Sequence, residues 1–122
     1  MCTSLESVIN DVAFKIVNNG VFANKGEIDN LLGVLSSNGV YAMWVYAKSK
    51  KKGKNSEEKN LMNELRPLFE KIVPGKIKGQ DDNDYEAFFK EIAEDLPTLL
   101  FVKDILERTL TYARYHAKAL ED

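Results

Sequence analysis

Five lysines fall within seven positions of this chain: Lys48, Lys50, Lys51, Lys52 and Lys54. They directly follow "VYAMWVYA", residues 40–47, the most continuous apolar stretch of the sequence. A cationic segment anchored to a rigid buried one keeps its charge near a fixed place. That arrangement suits contact with a phosphate backbone, because phosphate binding is long-range and tolerant of side-chain detail. A second cationic pair, Arg114 and Lys118, stands four residues apart. In helical projection it lies on the side away from Leu110, Ala113 and Ala117. These seven side chains are the candidate nucleic-acid-binding residues. Tyr41, Trp44 and Tyr46 are of the types that stack bases, but their density in so apolar a stretch assigns them to a core.

Other chemistry is poorly provided for. His116 is the sole histidine, and no carboxylate or nucleophile near it in sequence completes a catalytic set. Cys2 is the sole cysteine, so an internal disulfide is impossible and a zinc site lacks ligands. "GKIKGQ" has no Gly-Lys-Ser/Thr to cradle phosphates. "DDNDYEAFF" is partly similar to a calcium loop but lacks the turn glycine. The expectation is therefore a binding protein, without catalytic residues, metal or cofactor.

The chain has 122 residues, which favours a single domain with one core. No apolar run approaches the roughly 20 residues needed to span a bilayer, and "MCTSLES" lacks the layout of a signal peptide. These features predict a cytoplasmic protein with no membrane partner. The net charge of −2 argues against indiscriminate coating of nucleic acid. Its distribution is uneven: against the lysine run, residues 81–95 hold seven acidic side chains and only Lys90. An acidic run of this kind is a candidate protein-facing surface.

Helical periodicity runs through the chain. Leu5, Val8, Ile9, Val12, Ala13, Ile16 and Val17 mark a first helix, with Thr3 and Glu6 as a capping box and Gly20 as its stop. A short helix is predicted at 27–35, burying Leu31, Leu32, Val34 and Leu35. The Asn38-Gly39 turn then starts a third near Val40. That helix is apolar on every side, which predicts a central element surrounded by others. Ser56 precedes a helix carrying Leu61, Met62, Leu65, Leu68, Phe69 and Ile72, which Pro67 should kink or restart. After a loop at 74–84, Asp84 is the expected cap of a helix burying Tyr85, Phe88, Phe89 and Ile92. Asp95-Leu96-Pro97 opens a last helix, about 97–120, with Leu99, Val102, Ile105, Leu106, Thr109, Leu110, Ala113, Ala117 and Leu120 inside. The prediction is an all-α bundle of five to seven helices.

Three segments resemble the small helical subunit of type III-B CRISPR RNA-guided effector complexes, the Cmr complexes. Ser4-Leu5-Glu6 followed by Ala13-Phe14 is similar to the family's opening helix. "LLGVLSSNGVYAMWVYAKSK", residues 31–50, resembles its apolar segment, Asn-Gly turn and lysine-ended helix. "LTYARYHAKALE", residues 110–121, is similar to its final helix, with Tyr112, Arg114 and the Ala117, Ala119, Leu120 ending in place. The chain departs from the family at Val8-Ile9, where a basic pair is common, and at Val40, where leucine is usual. The resemblance implies a non-catalytic subunit in antiviral defence. Several copies would stack along the repeated backbone subunit and line the channel in which guide RNA pairs with target RNA. A helical protein–protein adaptor, or the small subunit of a type III-A or type I-A complex, is the alternative expectation.

Overall fold

The computed structural model describes residues 4–19, 25–49, 57–79 and 82–121, with side chains described for 4–19, 26–47, 61–79 and 83–120. Among the described residues there are six helices and no strand: α1 (Leu5–Asn18), α2 (Lys25–Asn38), α3 (Val40–Ser49), α4 (Glu57–Ile72), α5 (Asp82–Ala93) and α6 (Leu96–Glu121). The chain is an all-α, single-layer-on-layer bundle built around one continuous core.

The long α6 is its spine. Helix α1 packs on α6 and α4, and α2 packs on α6 and α3. Helix α3 also meets α4 and α5, and α5 closes back onto α6. The capping oxygen of α1 comes from Ser4, which accepts a hydrogen bond from the Ser7 N–H at 3.2 Å, rather than from Thr3. Thr3 and Gly20 lie outside the described residues. Helices α2 and α3 are joined by Gly39 alone. Its φ of +99° is a conformation that glycine adopts without strain. The Gly39 N–H reaches back to Leu35 and its carbonyl receives the Met43 N–H, each at 3.0 Å, so the chain turns without losing its helical hydrogen bonds. Helix α2 is consequently longer than the predicted 27–35, reaching Asn38.

Helix α3 is central on one side only. Val40, Met43, Trp44 and Ala47 are buried, but Val45 is 47% exposed and Tyr41 and Tyr46 are partly exposed. A ten-residue helix apolar all round still meets its neighbours on an arc, and the remaining apolar side chains stay at the surface. Pro67 does not interrupt α4. The carbonyl that it deprives of a partner belongs to Asn63, and both residues are exposed, so water can satisfy it. Helix α5 begins at Asp82, which puts Asp84 in its first turn instead of at its cap. On α6, Asp95 precedes the first turn. It accepts from the Thr98 hydroxyl at 2.8 Å and, through its carbonyl, from the Leu99 N–H at 2.8 Å. The interior of α6 is as expected from Val102 to Ala113, with the Thr109 hydroxyl satisfied by the Ile105 carbonyl. Leu120, predicted inside, is 71% exposed because the last turn of α6 projects past the helices that cover it.

The densest part of the core is aromatic. Trp44 of α3 lies 5.3 Å from Phe89 and 6.0 Å from Tyr85, ring centre to ring centre. Phe69 of α4 is 5.0 Å from Phe88, and Phe88 is 5.0 Å from Phe89. The Trp44 indole N–H donates to Glu86 at 3.4 Å, which satisfies its one polar group. Beside this cluster Arg66 closes the α4–α5 connection. It donates to the carbonyls of Gly79 at 2.7 Å and Ile77 at 3.3 Å, to Glu70 at 3.1 Å and to the Tyr85 hydroxyl at 3.5 Å. The Tyr85 bond raises the Arg66 pKa above its ordinary value against the opposing pull of burial, and Glu70 adds to the rise.

Two stability outcomes follow from this packing. Trp44→Ala should destabilise by about 3–5 kcal/mol in chemical denaturation, as large-to-small changes at buried aromatics do. A loss under about 1 kcal/mol would mean that the ring does not sit in the core. Arg66→Lys should lose roughly 1–3 kcal/mol, because an ammonium cannot serve two carbonyls, a carboxylate and a hydroxyl from one fork. Unchanged stability of Arg66→Lys would show that the loop carbonyls find other donors.

Candidate nucleic-acid interface

Helix α6 carries the candidate cations that the described residues contain. Its first four turns are enclosed on one side by α2 and α5, and its second half lies between α1 and α2. Helix α2 runs antiparallel to it, as Asp29 meets Arg114 and Ser36 meets Glu107. Helix α1 runs in the same direction as α6, with Leu5 and Ile9 near Arg108 and Tyr112, and Asn10 and Phe14 near His116.

Arg114 is therefore not a free cation. Its Nε lies 2.6 Å from the Asp29 carboxylate, and the two side chains are 46% and 39% exposed. A pair this open to solvent is held weakly, so an incoming phosphate can compete for the guanidinium. Lys118 is exposed one turn further on. The two thus lie on neighbouring parts of the surface that α1 and α2 leave uncovered. Lys48 belongs by its backbone to the end of α3, and its side chain is not among those described. Lys50, Lys51, Lys52 and Lys54 lie outside the described residues.

The aromatic side chains of α3 divide as expected. Trp44 is fully buried, whereas Tyr41 and Tyr46 pack against the core from its margin. None of the three forms an open platform. The acidic run of 81–95 is resolved by α5 into two faces. Tyr85, Phe88, Phe89 and Ile92 turn inward, while Glu91 and Glu94 are exposed and Glu86 reaches the Trp44 indole. Part of that charge thus has a structural use.

Two features were missed in the sequence. Arg108 lies on the outer side of α6, 3.3 Å from Asp104, with both side chains about 60% exposed. Tyr115 is 60% exposed and Phe14 is 51% exposed. Phe14 was read only as part of the opening helix, although its place outside the α1 apolar stripe already marked it as outward-facing. His116 is engaged without a carboxylate. Its Nε2 lies 3.2 Å from the Asn10 side-chain oxygen, and its ring meets Phe14 edge-on at 5.7 Å. Among the described residues no group of three or more His, Cys, Asp or Glu side chains is placed to hold a metal ion. No helix among them is long and apolar enough to cross a membrane.

Comparison with protein-family models, with curated proteins and with solved structures gave no match to this chain.

Proposed function

We propose that this chain is a non-catalytic, RNA-contacting small subunit of a type III-B CRISPR effector complex. Its partners would be the repeated backbone subunit, neighbouring copies of itself, and the guide and target RNA. The observation that carries this reading is the position of Arg114 and Lys118. Both stand at the surface on the last helix, one of the segments that resemble the family, and Arg114 is held only by a solvent-exposed pair. The lysines from 48 onward follow directly on α3, the other such segment. Helix α3 is pinned by Trp44, so the point from which those lysines depart is rigid.

A second reading, a helical protein–protein adaptor, has an observation of its own. Leu96, Leu100 and Phe101 at the start of α6 are 62%, 54% and 44% exposed. Adjoining large apolar side chains left open in this way are a common mark of a protein contact. The two readings are compatible if one end of α6 meets protein and the other meets RNA. As a subunit of a type III-A or type I-A complex, the chain would use the same surfaces.

The RNA reading is tested by salt dependence. Affinity for RNA should show little sequence preference and fall steeply with salt, by a slope of about −0.7 per phosphate for single strands. Replacing Lys50, Lys51 and Lys52 with alanine in the assembled complex should flatten that slope by roughly 1–2. Arg114→Ala with Lys118→Ala should do the same, while unfolding shifts by less than about 1 kcal/mol, the scale of an exposed ion pair. Unchanged affinity and slope in both variants would leave the adaptor reading standing. Purified wild-type protein should also show no RNA cleavage with or without divalent metal. Cleavage that a single substitution abolishes would refute the non-catalytic assignment.

A further inference from the structure

Helices α1 and α6 lie side by side, and the seam between them is open. Two adjoining depressions share Glu6 and Tyr112. One, of about 180 Å³, is bordered by Ile9 and Arg108. The other is bordered by Ser7 and Asn10. The smaller is well below the roughly 300–1,000 Å³ of an enclosed small-molecule pocket. A shallow furrow of this form suits a chain laid along it better than a compact ligand held within it.

The furrow is lined as a nucleic-acid strand would require. From Tyr112 it leads, one helical turn on, to His116 and to the Phe14 ring that meets it. Residues four apart on a helix rise by about 6 Å, so successive rings are separated by enough space to admit a base. Tyr115 adds a second exposed ring beside His116. Ser7, Asn10 and Glu6 offer hydroxyl, amide and carboxylate groups to base edges. Cations stand at both ends, Arg108 at the Tyr112 end and Lys15 and Lys118 at the other. Arg108 and Lys15 are paired with Asp104 and Asp11 across solvent-exposed gaps of 3.3 and 3.1 Å. Such pairs give way to a phosphate at little loss. The core does not need the Phe14 and Tyr115 rings, each more than half exposed, and aromatic faces flanked by cations are the two components of a single-strand platform.

We infer that the α1–α6 furrow binds single-stranded RNA by stacking bases on Phe14 and Tyr115, with Arg108 and Lys118 holding phosphates at its two ends. This rests on the RNA-contacting role proposed above and specifies the form of RNA. A duplex, whose bases are already stacked and paired, cannot reach the rings.

The test uses the full chain and an oligouridylate of about 12 nucleotides, within the site sizes of single-strand binders, carrying one 2-aminopurine. The single tryptophan, Trp44, is buried, so the reporter belongs on the RNA. Binding should quench 2-aminopurine, and an abasic strand of the same length should bind at least about tenfold more weakly. Phe14→Leu and Tyr115→Leu, which keep apolar bulk but remove the ring, should each lower affinity roughly 5- to 100-fold, the effect of one stacked base. Their salt slopes should match the wild type, and Phe14→Trp should retain binding. If the abasic strand or a duplex binds as tightly, or both leucine variants bind as the wild type does, the stacking site is refuted while RNA contact stands. If no oligonucleotide binds even at low salt, both fall together.

Discussion

The aromatic cluster around Trp44 is the constraint on which the rest of this structure depends. Helix α3 contributes one ring to it, α4 contributes Phe69, and α5 contributes Tyr85, Phe88 and Phe89. None of these three helices is long enough to be stable alone in water, where isolated helices shorter than about 12–15 residues are marginal and longer ones still need packing. The shared cluster makes each conditional on the others. It also explains why the chain can spend so acidic a segment on α5. The inward side chains hold that helix in place, and the carboxylates ride on the opposite face, apart from Glu86, which meets the indole N–H.

Arg66 extends the same logic into the connection between α4 and α5. A loop over the edge of a core leaves carbonyls that need donors. The guanidinium supplies them to Ile77 and Gly79 while its remaining hydrogens meet Glu70 and Tyr85. The loop is thereby tied to the aromatic cluster through the Tyr85 hydroxyl. Charge that reads in the sequence as one more surface cation is thus part of the interior framework.

Helix α6 translates this framework into a surface. Its inward stripe from Val102 to Ala113 is continuous, so the outward residues keep fixed spacings along one rod. The start of that outer side is apolar, with Leu96, Leu100 and Phe101, and its end is aromatic and basic, with Tyr115 and Lys118. A single rigid element therefore presents two chemically different ends. The proposed division between a protein-facing and an RNA-facing region rests on that contrast.

Sequence periodicity was sufficient for the helices themselves. The apolar stripes of α1, α4, α5 and α6 repeat at helical spacing, and burial follows them closely from Ile9 to Ala113. The Asn38-Gly39 turn and the Asp95-Pro97 start were legible for the same reason, since each depends on local backbone preference. Local pattern does not say how much of a helix its neighbours cover. Val45 and Leu120 carry the apolar character of core residues, yet both are exposed, because the bundle ends before it reaches them. Nor does pattern reveal partners distant in the chain. Asp29 beside Arg114, Asn10 and Phe14 beside His116, and the carbonyls around Arg66 are brought together only by the packing of helices. The sequence alone determined which faces are apolar and where the chain turns. The tertiary structure decided which cations are already paired, which aromatic rings remain open, and hence where a ligand can be met.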